Sequence, residues 1–99
     1  MDLNKSIRMA VDTGKVLMGA DKTVKAALNG TAKLIVIASN CPIQRRQDLK
    51  HYSQLSGIPV LDFKGTSIEL GTVCGKPFPV SAMSVLDAGN SDLLDAAKK

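Results

Sequence analysis

The spacing of apolar positions along the chain changes repeatedly, and each change marks an element. Leu3, Ile7, Ala10 and Val11 recur at steps of four, three and one, which is one helical face, with Asp2 as N-cap and Gly14 past the end. Lys15-Val-Leu-Met18 is too short for a helix and reads as a strand closed by Gly19. A second helix opens at Ala20 or Asp21, with Val24, Ala27 and Leu28 inward, and Asn29-Gly30 ends it. Lys33-Leu-Ile-Val-Ile-Ala38 carries an unbroken apolar run, the pattern of a central strand covered on both faces.

Ser39-Asn40-Cys41 then forms an exit loop, and Pro42 suits the first turn of a third helix. Its inner face is expected at Leu49, Tyr52 and Leu55 or Ser56, with Gly57 as terminator. Ile58 to Phe63 is the next strand, and Pro59 favours an edge position for it. Thr66-Ser-Ile-Glu69 has capping-box spacing and opens a fourth helix, with Leu70, Val73 and Cys74 inward and Gly75 beyond its end. Val80 to Leu86 is the last strand, and Ser91 caps a terminal helix with Leu93, Leu94 and Ala97 inward. The order αβαβαβαβα over 99 residues predicts an α/β protein, a single domain built as a three-layer α/β/α sandwich.

Composition narrows the function. Hydrophobic residues at 44% and charged residues at 22% exclude a disordered chain. No apolar run approaches a membrane span, and the N-terminal MDLNKSIRMA lacks the apolar core of a signal peptide, so a cytoplasmic protein is expected. Cys41 and Cys74 are too few and too far apart for a disulfide framework or a CxxC site and are expected as small buried residues. With His51 as the lone histidine, neither a zinc set nor any other cofactor is expected. A net charge of +4 favours an anionic partner. Three aromatics, Tyr52, Phe63 and Phe78, are too few for a base-stacking platform on a sheet face.

Motifs for catalysis are weak. Gly71-Thr-Val-Cys-Gly75-Lys76 has one residue too few between its glycines for a phosphate loop, and Pro77 stands where Ser or Thr belongs. Cys41 and His51 form no recognisable nucleophile–base pair, and the carboxylates are scattered, so no enzyme is expected. The informative pattern lies where loops meet basic residues. Gly19 at a strand exit lets another molecule's backbone approach. Lys22 and Lys25 follow in the next helix, whose N-terminal amides favour an anion. Asn40 offers donor and acceptor together, suited to a base edge. Arg45 and Arg46 lie one turn into the helix beyond, and Lys76 precedes the apolar tip Pro77-Phe78-Pro79-Val80. Each residue also has a plain structural reading: Gly19 as a turn, Asn40 as a helix cap, Phe78 as core. Together they supply phosphate contacts, a base reader and an apolar surface for a splayed base, the means by which RNA irregularities are recognised.

Four segments carry a family resemblance: Gly14-Lys-Val-Leu-Met-Gly19, Lys33-Leu-Ile-Val-Ile-Ala-Ser-Asn-Cys-Pro42, Ile68-Glu-Leu-Gly-Thr-Val-Cys-Gly-Lys76 and Ser84-Val-Leu-Asp-Ala-Gly-Asn-Ser-Asp92. In order and without a gap, they resemble the archaeal and eukaryotic large-subunit ribosomal protein L-thirty family, the "e" type, within the kink-turn-binding L-seven-Ae superfamily. The resemblance implies a four-stranded mixed sheet in the sandwich and binding to a ribosomal RNA kink-turn or similar internal loop. It also implies assembly into the large ribosomal subunit in the cytoplasm, and with nothing in the sequence to suggest a dimer, a monomer is expected before assembly. It places the RNA surface on the first and second strand–helix loops and the loop before the last strand. Gly19 would permit close approach, Asn40 would bond a guanine edge, and Arg45 would contact the backbone. Phe78, Pro79 and Val80 would pack against an extruded base. Where the family commonly has a lysine two residues after Gly19, this chain has Asp21, here read as a helix N-cap, with Lys22 next. Two other readings compete: a guide-RNA ribonucleoprotein component of the same superfamily, and a small α/β ligand-binding protein or enzyme using Cys41 and His51.

Overall fold

A computed structural model describes residues 3–87 and Gly89. The order is α1 (Leu3–Thr13), β1 (Lys15–Met18), α2 (Ala20–Asn29), β2 (Leu34–Ile37), α3 (Ile43–Ser56), β3 (Val60–Asp62), α4 (Ser67–Val73) and β4 (Ala82–Asp87). The helix expected from Ser91, with Leu93, Leu94 and Ala97, lies outside the described residues.

The strands form one mixed sheet in the order β1-β4-β2-β3. β4 runs antiparallel to both β1 and β2, whereas β2 and β3 are parallel. The last strand in sequence is thus inserted at the centre, and β3, which Pro59 precedes, takes an edge. The unbroken apolar run of β2 follows from burial on both faces: Leu34 and Val36 pack with Ile7, Ala10 and Leu70 of α1 and α4 and with Cys74 just past α4. Ile35 and Ile37 pack with Ala26, Ala27 and Leu49 of α2 and α3. Two helical layers therefore enclose the sheet, as the alternation of elements predicts.

Local signals set the helix boundaries. Gly30 and Gly57 end α2 and α3 in the left-handed conformation, with φ of 67° and 69°. Thr66 caps α4, its hydroxyl accepting from the Glu69 amide at 3.4 Å. Packing overrides the expected inner faces at two places. On α2, Leu28 is exposed and Thr23 and Ala26 are buried instead. On α3, Leu55 is 73% exposed, while Ser53 points inward beside Leu49. Ser56, the alternative to Leu55, donates its hydroxyl to the Ala27 carbonyl at 3.0 Å and fastens α3 to α2. Among the described residues no helix is long and apolar enough to cross a membrane.

Candidate nucleic-acid interface

The sheet topology brings three loops to one end. β1 and β2 both finish where the antiparallel β4 begins, with Met18 opposite Met83 and Ile37 opposite Ala82. Backbone bonds continue the alignment into the loops: the Gly19 amide donates to the Ala82 carbonyl at 2.9 Å, and the Ala38 amide to the Ser81 carbonyl at 2.8 Å. The loops around Gly19, around Asn40 and at residues 76–81 therefore share one edge.

Gly19 occupies the N-cap position of α2 with φ 112° and ψ 144°, a conformation open only to glycine. A Cβ there would meet no atom within 4 Å, so the requirement is backbone conformation, and the position stays open to an approaching molecule. Its carbonyl accepts both the amide and the hydroxyl of Thr23, at 3.0 and 2.7 Å. Asp21 is not the N-cap expected of it. It sits in the first turn of α2, and its carboxylate pairs with Arg45 of α3 at 2.7 Å.

Asn40 caps a helix, but α4 rather than the α3 that follows it. Its Oδ1 accepts the Ser67 amide at 2.7 Å and its Nδ2 donates to the Ser67 hydroxyl at 3.2 Å. Ser67 in turn gives its carbonyl to the Val80 amide at 2.9 Å, so one residue fastens both the Asn40 loop and the loop before β4. A primary amide has two N–H donors and two acceptor lone pairs. One of each remains available on Asn40, on a side chain held in fixed orientation.

The two arginines of α3 part company. Arg46 points inward: its Nη2 donates to the carbonyls of Ala38 and Ser39 at 2.8 and 2.9 Å, and Nη1 lies 3.5 Å from Asp62. Those bonds hold the β2 exit and leave Arg46 a positioning group rather than the outward phosphate contact its sequence position suggests. Arg45 faces the α2 start. Lys22, Lys25 and Lys76 are exposed and have no acidic partner among the described residues.

At the apolar tip the expected trio divides as well. Phe78 is 50% exposed and Pro79 is exposed, but Val80 is only 1% exposed and packs in the core against α1 and α4. Val80 cannot offer its side chain to a partner: its amide is drawn to Ser67 at the point where the chain turns into the sheet. Ile68, 69% exposed on the first turn of α4, joins the tip instead. With Thr72, Lys76, Pro77, Phe78 and Pro79 it lines an open groove of about 220 Å³. Sequence reasoning passed over Ile68 and Ser67. Ile68 could have been found as the apolar residue off the inward face of α4; nothing local points to Ser67's contact with Asn40, 27 residues away.

The remaining motifs are structural. Gly71, in the stretch that mimics a phosphate loop, is buried within α4, where a Cβ would collide with the Phe78 carbonyl. Cys41 and Cys74 are buried, and burial raises both thiol pKa values, that of Cys74 to about 11. His51 is exposed on α3 with its ring 5.6 Å from that of Tyr52. A buried, protonated Cys41 is the reverse of an activated nucleophile.

Comparison with known proteins decides the affiliation of this scaffold. The sequence profile of the Ribosomal protein L7Ae/L30e/S12e/Gadd45 family matches residues 1–95. The chain belongs to this family. Among relatives, the large ribosomal subunit protein eL30 of Methanocaldococcus jannaschii is 52% identical over 99 residues, covering 100% of this chain and 90% of the relative. The eL30 of Methanosarcina mazei is 54% identical over 96 residues, covering 97% and 89%. Among solved structures, a protein of unknown function from Bacillus halodurans C superposes with a TM-score of 0.83 at 28% identity, covering 97% of this chain and 95% of that one.

Proposed function

We propose that this L7Ae/L30e-family chain is a non-enzymatic constituent of the large ribosomal subunit that binds ribosomal RNA at a kink-turn or similar purine-rich internal loop. The observation that carries the reading is Asn40, immobilised on Ser67 with one donor and one acceptor free, among three loops that share one sheet edge. A fixed amide reads a base edge without losing side-chain freedom on binding. Around it, Lys22, Lys25 and Lys76 supply phosphate contacts, and the Ile68–Phe78 groove supplies apolar surface for an unstacked base. Near-full-length identity of about half to relatives named as large-subunit proteins supports the ribosomal, cytoplasmic setting.

The test is titration of the purified protein with a kink-turn RNA and with a fully paired duplex of equal length, at about 150 mM salt, where non-specific binding is only ~10⁻⁴ to 10⁻⁶ M. A preference of about 100-fold, or ~2.7 kcal/mol, is expected for the kinked RNA. Equal, weak and salt-sensitive binding to both would refute the reading. Co-sedimentation with the large subunit separates the ribosomal role from that of a guide-RNA particle.

A further inference from the structure

Two carboxylates stand at the basic sheet edge: Asp62, beside Arg46 and Lys50, and Asp21, beside Arg45. Asp21 lies in the first turn of α2, and the first turn of α3 carries no acid. Its Oδ1 is 2.7 Å from Nη2 of Arg45, and this is the ion pair that ties the start of α2 to α3. Both side chains are open to solvent, Asp21 more so than Arg45. Arg45 has no second acidic partner at ion-pair distance among the described residues, in contrast to Arg46, whose guanidinium is fixed by two carbonyls and Asp62. Asp48 shares an open hollow with Arg45, Pro42 and Gln44 but does not reach it.

A solvated guanidinium paired with one carboxylate is poised to change partners. A backbone phosphate presents two oxygens that a guanidinium can bond together, as it does those of a carboxylate, and an exposed pair of this kind is held weakly. Resting on the RNA-binding reading above, we infer that Arg45 binds RNA by exchange. Asp21 holds it in the free protein, a backbone phosphate takes it in the complex, and Asp21 opposes that contact. No bond is made or broken covalently; one ion pair replaces another. Asp21 is therefore a residue that limits affinity at this edge and a determinant of how Arg45 contributes. Lys25, one turn along α2 from Asp21, is the second cation that a vacated carboxylate can reach.

The experiment is a double-mutant cycle on the full chain with the kink-turn RNA as probe: Asp21→Asn, Arg45→Gln and the two together, with Asp12→Asn as a control of equal charge change. Asp12 lies near the end of α1, in an ion pair with Arg8 that is separate from the Asp21–Arg45 pair. Removing Asp21 is expected to tighten binding about 2- to 5-fold, the factor set by an exposed ion pair. That gain should disappear in the Arg45→Gln background, and Asp12→Asn should leave affinity within error of the parent. A gain that persists undiminished without Arg45 overturns the exchange, because Asp21 would then act through Lys25 or by simple repulsion. No gain, or one matched by Asp12→Asn, also overturns it. The parent protein separates the two layers of argument: absence of any kink-turn preference there removes the proposed function and the exchange with it. A clear preference without coupling between Asp21 and Arg45 removes only the exchange.

Discussion

Asn40 serves the fold and the proposed recognition through the same amide, and substitution can separate the two. Its Oδ1 takes the amide of Ser67, a buried residue at the first position of α4, at 2.7 Å. Asn40→Ala removes that acceptor and leaves a helix-terminal donor unsatisfied. With Asn40 itself exposed, water reaches the gap in part, so the loss is about 1–2 kcal/mol of stability. For a domain of this size that is a fall in Tm of roughly 4–16 °C. Asn40→Asp behaves differently. The carboxylate retains the acceptor, carries a charge that the start of a helix favours, and should hold Tm within about 4 °C of the parent. It lacks the N–H donor and adds repulsion toward phosphate, so specific RNA binding should fall by about 1–3 kcal/mol, and Asn40→Ala is expected to lose a similar amount. The assays are thermal unfolding by circular dichroism and titration with kink-turn RNA. An Asp variant as unstable as Ala would show that the Ser67 bond is not what stabilises this loop. An Asp variant that is stable and binds RNA normally would remove Asn40 from the interface.

Three further outcomes follow from the same geometry. Arg46→Gln should lower stability by about 1–2 kcal/mol through the lost carbonyl bonds and leave the salt slope of RNA binding unchanged, whereas Lys25→Gln should preserve Tm and flatten that slope by roughly 0.7–0.9. Phe78→Ala should weaken kink-turn binding while changing stability by less than ~1 kcal/mol, since the residue is already 50% exposed; a larger loss of stability would return it to the core. The Cys74 thiol is pushed up by burial from 9.0 to about 11, so the unfolded chain releases its proton first and folding stability should decline as pH rises through that interval. Chemical denaturation across the interval should show the decline, and Cys74→Ala should flatten it.

How much could be read from residues alone depends on the distance over which each feature is decided. Helix ends at Gly30 and Gly57, the Thr66 cap and the double-sided burial of β2 rest on neighbours within a turn or a strand, and all are legible as patterns. The edge position of β3 follows from Pro59, which has no amide to give a second neighbour. The loops that gather at one sheet edge were identified by their residue types, glycine, asparagine and lysine, although not by their contacts.

The rest was settled by packing. α3 has apolar residues on several sides, so periodicity alone could not decide that Ser53 turns inward and Leu55 outward; the surface of α2 and the sheet decides it. Nothing local orders β4 between β1 and β2, because strand order reflects the closure of long loops around a shared core. The same holds for side chains at the interface. Arg45 and Arg46 are adjacent in sequence and equal in charge, but successive helical positions point about 100° apart, so one meets Asp21 and the other the carbonyls of β2's exit. Val80 and Phe78 differ by two residues, and only the turn into the sheet makes one core and the other surface. Composition and spacing determined which kinds of chemistry this protein carries; the tertiary structure decided which side chains remain free to use it, because burial and pairing are properties of residues far apart in the chain.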